Sequence, residues 1–130
     1  MSSVKLEDIL DKTHPLYQLA NRLNWDFLIQ ELGSFYSEGP GRPEIPIRVM
    51  AGLHYLKYLE NESDEGVVER FCENPYWQYF CGLDTFQHQL PCHPTTLVKW
   101  RARIGEKGME RLLSHTIDTA KRVGLLPEKL

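Results

Sequence analysis

The feature that most constrains the fold is the helical spacing of apolar residues between Pro46 and Leu59. Apolar side chains recur there every three or four positions, which places them on one side of an α-helix. These residues are Val49, Met50, Leu53, Leu56 and Leu59. The small residues Ala51 and Gly52 would let a neighbouring helix approach closely. The segment therefore predicts a central core helix that begins at Pro46.

The other segments carry the same helical signal, separated by capping residues and helix breakers. The predicted helices cover 15–23, 25–32, 46–59, 64–73, 75–81, 95–104 and about 106–123. The predicted N-caps are Thr13 or His14, Asn24 and Ser63. Gly82, Gly105 and Gly124 stand where helices commonly end. Because strand-like alternation is missing over any useful length, the sequence predicts an all-α fold of six or seven helices.

The length of the chain predicts a single domain. Its 130 residues suffice for one hydrophobic core and are few for two. We expect an N-terminal lead-in at 1–13, a helical domain at 14–123 and a C-terminal end at 124–130. The clear loop lies within 33–43, which is rich in glycine and proline.

Apolar runs and cysteine content predict a cytoplasmic protein without a membrane partner. No apolar run approaches the ~20 residues that span a bilayer, and charged residues interrupt the first 20 positions, where a secretion signal would lie. Three cysteines, an odd number, argue against a disulfide framework and fit a reducing compartment.

The charge is distributed unevenly along the chain. The net charge is −3, but residues 1–93 carry −7 and residues 94–130 carry +4. Such polarity within a small domain is a possible footprint for a polyanion, confined to the C-terminal third. The alternative is an ordinary helix with solvated lysines, and charge alone does not decide between them.

Helix 95–104 is the strongest candidate for a nucleic-acid contact. Leu97, Trp100 and Ile104 share one face and can pack inward, so Trp100 is predicted to belong to the core. The remaining surface is cationic, with threonines at its N-terminal end, as in the recognition part of a helix-turn-helix. The predicted DNA-binding residues are Thr95, Thr96, Lys99, Arg101, Arg103 and Lys107. By itself, this charge pattern is more often that of a solvent-exposed helix than that of a DNA-binding helix.

Metal binding and catalysis receive less support from the sequence. The cysteines and histidines of the third quarter lack the paired C-x2-C spacing of structural zinc sites. These residues are Cys72, Cys81, His88, Cys92 and His93. Asp64 and Glu65 are explained as a favourable first helical turn, and His54 as a structural histidine. We therefore predict no catalytic residue, no metal and no cofactor.

Four segments together resemble the N-terminal domain of InsH-type insertion-sequence transposases, which are bacterial members of the DDE superfamily. The segments are HPLY (14–17) with NW (24–25), GRP (41–43) through RVMAGLHYLK (48–57), SDE (63–65) through ENPYWQYFCG (73–82), and LPC (90–92) through WRARIG (100–105). The resemblance covers about 14–115, and its specificity comes from the order and spacing of the four blocks.

The resemblance implies a helical domain that precedes an RNase H-like catalytic domain and helps to bind the terminal inverted repeats of a transposon. In such a domain, the DNA contact would fall on the cationic helix, at Thr95, Thr96, Lys99, Arg101 and Arg103. The family's three metal-binding carboxylates lie downstream of Leu130. We therefore expect a DNA-binding module that is truncated before the catalytic domain and is not itself an enzyme.

Two other interpretations remain open at this point. The domain could associate with itself or with a full-length transposase, as an interaction or inhibitory fragment. Exposure of the aromatic residues Tyr76, Trp77, Tyr79 and Phe80 would favour that interpretation, whereas burial would place them in the core. The chain could also be a decaying fragment without a selected function, a partner of a split transposase or an excised domain.

Overall fold

The computed structural model of the protein describes residues 4–36 and 45–125, and over these residues it is a bundle of α-helices without a β-strand. The helices are α1 (Leu6–Ile9), α2 (Pro15–Arg22), α3 (Trp25–Gly33), α4 (Ile47–Glu60), α5 (Asp64–Glu73), α6 (Pro75–Phe80) and α7 (Pro94–Arg122). The predicted all-α class is confirmed. Most of the predicted loop, residues 37–43, lies outside the described residues.

Side-chain caps begin three of the helices where the sequence predicts them. The carboxamide of Asn24 accepts from the backbone N–H of Phe27, and the hydroxyl of Ser63 accepts from that of Gly66. His14, rather than Thr13, caps α2. Each cap satisfies backbone N–H groups that have no partner within the helix, which fixes where the helix begins.

Helix α4 is buried on all sides. Every residue from Val49 to Leu56 is buried, although the spacing predicts only one buried face. Helices α3, α5, α6 and α7 all contact it. A Cβ atom added at Gly52 would lie 2.6 Å from Sγ of Cys81, so the absence of a side chain lets the end of α6 approach. The core helix is confirmed, with a larger buried surface than predicted.

The sequence did not predict α1. Leu6 is fully buried, and Leu6 and Leu10 form a second small apolar cluster with Tyr17. The backbone N–H of Leu6 also donates to the carbonyl of Asp84, at 2.9 Å. Part of the predicted lead-in therefore packs on the helical domain, through α6.

Helix α7 consists of two helical segments that meet at Gly105, as the sequence predicts. Gly105 has φ 68° and ψ −175° and interrupts the helix between 94–104 and 106–122. This region of backbone space is open almost only to glycine. Because the first segment contacts α4 through Trp100 and α5 through Arg101, the kink at Gly105 affects how that segment lies on the core.

Substitution of Gly105 by alanine tests this requirement. We expect G105A to lower the free energy of unfolding by about 1–3 kcal/mol, because a Cβ strains the backbone although it meets no atom within 4 Å. The measurement is urea unfolding followed by tryptophan fluorescence. The matched control is G33A, whose Cβ would meet only Ile47, at 3.8 Å, and which we expect to be neutral or slightly stabilising. Equal midpoints for G105A and the wild type would contradict the prediction.

Candidate nucleic-acid interface

Helix 94–104 has one buried and one cationic face. Leu97, Trp100 and Ile104 are 0%, 5% and 2% exposed. Thr95, Lys99, Ala102 and Arg103 are exposed to solvent, and so is Lys107, one turn further along α7. The buried face and the outward direction of Lys99 are as predicted. The helix thus presents cations to solvent while its apolar side chains fix it to the core.

Trp100 anchors the helix through polar and aromatic contacts. Its indole Nε1–H donates to the hydroxyl of Tyr36, and its ring lies 4.8 Å from the ring of His54. Tyr36 also contacts a surface arginine. The guanidinium of Arg103 lies 4.7 Å from the centre of the Tyr36 ring. Trp100 is therefore a core residue, as predicted, and Tyr36 connects it to Arg103.

His93 caps the N-terminus of helix 94–104. From the sequence, this residue was considered only as a possible metal ligand. Its Nδ1 accepts from the backbone N–H of Thr95 at 3.2 Å and lies 2.8 Å from the hydroxyl oxygen of Thr95. The backbone N–H of Thr96 donates to the carbonyl of His93. The cap leaves the Thr95 side chain at the surface and Thr96 half-buried.

Arg101 is held by an acidic residue from α5. Its two terminal nitrogens donate to the two carboxylate oxygens of Asp64, at 2.8 and 2.9 Å. Nζ of Lys57 lies 4.0 Å from the same carboxylate. The hydrogen bonds from Arg101 lower the pKa of Asp64 below its ordinary value. From the sequence, Asp64 was explained only as a favourable residue in the first turn of α5. Its pairing with Arg101, 37 positions away, was not predicted.

His54 completes this polar group from within the core. Its Nδ1 lies 2.8 Å from the carbonyl oxygen of Met50, and its Nε2 lies 3.3 Å from a terminal nitrogen of Arg101. Burial lowers the pKa of His54 from 6.5 to about 4. The neutral ring can donate from Nδ1 to Met50 and accept from Arg101 at Nε2. His54 is therefore structural, as predicted.

Helix 94–104 contacts α4 through Trp100 and α5 through Arg101, whereas α6, the helix before it in the sequence, does not contact α7. Residues 81–93 separate α6 from α7, a connection much longer than the three- to four-residue turn of a helix-turn-helix. The supporting helices of the cationic segment are therefore α4 and α5.

Comparison with known proteins identifies the family. A family model described as Transposase domain (DUF772) matches residues 4–103, which include the core helices and most of helix 94–104. The chain belongs to this transposase domain family. The resemblance to insertion-sequence transposases is thereby confirmed at the level of the family, and the protein has a transposase-related role.

A relative from Rhizobium meliloti, named Uncharacterized protein ORF8 in nfe locus, is 43% identical over 127 residues. The match covers 97% of this chain and 61% of the relative. The transposase domain described here thus spans about three fifths of the length of that relative. No solved structure matches the chain.

The other candidate residues of the transposase domain do not assemble into a site. Within 4–36 and 45–125, no group of three or more His, Cys, Asp and Glu side chains could hold a metal ion. Cys72, Cys81 and Cys92 are free thiols. Burial raises the pKa of the Cys81 thiol far above its ordinary value, which keeps it protonated and unreactive. None of the helices described here is long and apolar enough to cross a membrane.

The aromatic residues of α6 belong to the core of the transposase domain. Trp77 and Phe80 are buried, and Tyr76 and Tyr79 are half-buried. The two tyrosine rings stack on residues of α2 and its cap, Tyr76 on His14 and Tyr79 on Tyr17. These side chains therefore join α6 to α2 instead of forming an exposed aromatic surface.

The ion pair between Asp64 and Arg101 is expected to stabilise the fold. We expect D64N to lower the free energy of unfolding by about 1–3 kcal/mol, because Arg101 loses its counter-charge in a half-buried place. The matched control is E62Q, which weakens the more exposed pair with Arg70, at 2.8 Å, and should change stability by less than about 1 kcal/mol. Urea unfolding of the two variants provides the comparison, and a smaller effect for D64N than for E62Q would contradict the prediction.

The lowered pKa of His54 predicts a pH-dependent stability. Between pH 6.5 and about 4 the unfolded chain binds a proton at His54 that the folded chain does not bind. The contribution of His54 to the free energy of unfolding is largest above pH 6.5. It falls as the pH is lowered and reaches its minimum near pH 4. The loss should be up to about 3 kcal/mol.

Unfolding of the wild type and of H54Q across this pH range isolates the contribution. His115, whose pKa burial also lowers, is present in both proteins and cancels in the difference. Parallel pH profiles for the two proteins would show that His54 does not titrate as proposed.

Proposed function

We propose that this transposase domain binds duplex DNA and helps to recognise the terminal inverted repeats of an insertion sequence. The observation that carries the proposal is the exposure of three cations along α7, Lys99 and Arg103 before the interruption at Gly105 and Lys107 after it. None of these three cations lies within 4.0 Å of a carboxylate among the described residues. Cations that no internal anion neutralises are available to DNA phosphates.

The proposal gives the residues of the helix different roles. Lys99, Arg103 and Lys107 neutralise phosphates, and the threonines at positions 95 and 96 donate to phosphate or base edges at the N-terminus. Arg101, which the sequence predicts as a DNA contact, is assigned instead to positioning, because both its terminal nitrogens bind Asp64. Helices α4 and α5 take the place of the supporting helix in a helix-turn-helix-like element.

The partner is double-stranded DNA of transposon ends, and the natural location is the cytoplasm of a bacterial cell, where such DNA resides. We assign recognition to these residues and no strand-cleaving chemistry. This division agrees with the longer relative, of which the chain covers 61%. Joining and cutting would then be carried by other parts of a transposase.

The interaction alternative receives less support. It depends on an exposed aromatic surface, whereas Trp77 and Phe80 are 4% and 0% exposed. Light scattering of the isolated chain is the direct measurement. A monomer that binds DNA would agree with the proposed function, and a dimer that does not bind DNA would favour association instead.

The combined variant K99A/R103A tests the interface. We expect weaker binding to a labelled duplex that carries the terminal repeat flanking the gene, and a dependence on salt that is reduced by about two phosphate contacts. The readout is fluorescence anisotropy at several salt concentrations.

The matched control is K121A/R122A, which removes the same charge from the exposed far end of α7. This control should lose less affinity than K99A/R103A and retain its preference for the terminal repeat. Equal losses in the two variants would mean that general charge, and not helix 94–104, determines binding.

A further inference from the structure

An open surface pocket of about 350 Å³ lies beside the first turn of α4. Its walls come from α2, α3, α4, α6 and the turn that follows α6. The polar and aromatic lining residues are Asn21, Trp25, Arg48, Tyr79 and Asp84. None of these residues belongs to α7, so the pocket is separate from the proposed interface on helix 94–104.

Arg48 is held in this pocket by two contacts and by the space that Gly82 leaves. Its guanidinium lies 4.3 Å from the centre of the Trp25 ring, and its Nε donates to the carbonyl of Phe80 at 3.3 Å. Gly82 leaves the room for this arrangement, because a Cβ atom there would lie 2.8 Å from Cδ of Arg48. The side chain is thus fixed in place, while its two terminal nitrogens donate to no acceptor among the described residues.

The charge of Arg48 is not balanced within the described part of the chain. Arg48, Arg70 and Arg101 are the half-buried arginines there. Arg70 pairs with Glu62, and Arg101 pairs with Asp64, whereas none of the described carboxylates lies within 4.0 Å of Arg48. Burial lowers the pKa of Arg48. A half-buried cation without a counter-charge is unfavourable, and a bound anion would relieve this cost.

We infer that the pocket at Arg48 binds a backbone phosphate of DNA, as a second contact that is separate from helix 94–104. The two terminal nitrogens of a fixed, planar guanidinium can each donate to one oxygen of the same phosphate. Asp84 lines the same pocket and repels anions. It therefore favours a phosphodiester, which carries one negative charge, over free inorganic phosphate, which carries more than one near neutral pH. The inference rests on the proposed function, since DNA is the ligand.

The experiment compares R48Q, R48K and D84N by anisotropy with a short labelled duplex of arbitrary sequence. For R48Q we expect the salt dependence to fall by one phosphate contact, which is a three- to fourfold change in relative affinity between roughly 50 and roughly 200 mM salt. R48K keeps the positive charge and should therefore keep the salt dependence. Its affinity should fall, because an ammonium group cannot donate from two nitrogens to one phosphate as a guanidinium does. D84N should tighten binding, an effect that general destabilisation cannot produce.

A salt dependence that is unchanged in R48Q, with no gain in D84N, would overturn the inference. A second arm titrates inorganic phosphate and follows the Nε–H signal of Arg48 by NMR. If free phosphate shifts this signal while R48Q binds DNA normally, the pocket serves a small anion and the DNA assignment is wrong.

The two proposals fail separately. If K99A/R103A binds normally while R48Q reduces the salt dependence, the interface on helix 94–104 is wrong and the Arg48 site stands. If neither set of variants affects DNA binding, both fail.

Discussion

The burial of α4 is the constraint on which the rest of the structure depends. Eight consecutive residues, Val49 to Leu56, are withdrawn from water, so α4 needs neighbours on every side. Four helices supply them. Gly52 allows close approach where α6 ends. Each element that bears a candidate functional residue is therefore positioned by its contact with this one helix.

The acidic part of the chain, residues 1–93, forms an ion pair with the basic part, residues 94–130. Asp64, from the acidic part, holds Arg101 of the basic helix through both carboxylate oxygens. His54, from the buried helix, approaches the same guanidinium. The cationic helix is thereby fixed on one side by an ion pair and on the other by Trp100 and Tyr36. A rigid support of this kind leaves the outward cations free to meet a partner in a defined geometry.

Arginines that look equivalent in the sequence lie in different surroundings in the fold. Arg101 and Arg103 are two positions apart, yet one is bound by a carboxylate and the other stacks on Tyr36 at the surface. Arg48 lies in a pocket that Asp84 also lines. No described carboxylate lies within 4.0 Å of the Arg48 guanidinium. Of the three, only Arg101 pairs with a carboxylate among the described residues. The other two are the arginines that we propose to bind phosphates.

Much of the fold was predictable because it depends on local patterns. Apolar spacing located the helices, and Asn24, Ser63 and Gly105 marked helix ends, since caps and positive φ angles act within a few residues. The buried face of helix 94–104 followed from the same spacing. Helix α1 was missed because a four-residue helix has too short a pattern and is stabilised by distant side chains. The sequence by itself thus determined the helical class, most helix boundaries and the inward face of the cationic helix. Only the tertiary structure decided that Asp64 neutralises Arg101 and that Arg48 has no counter-charge within 4.0 Å among the described residues, because these properties depend on residues far apart in the chain that folding brings together.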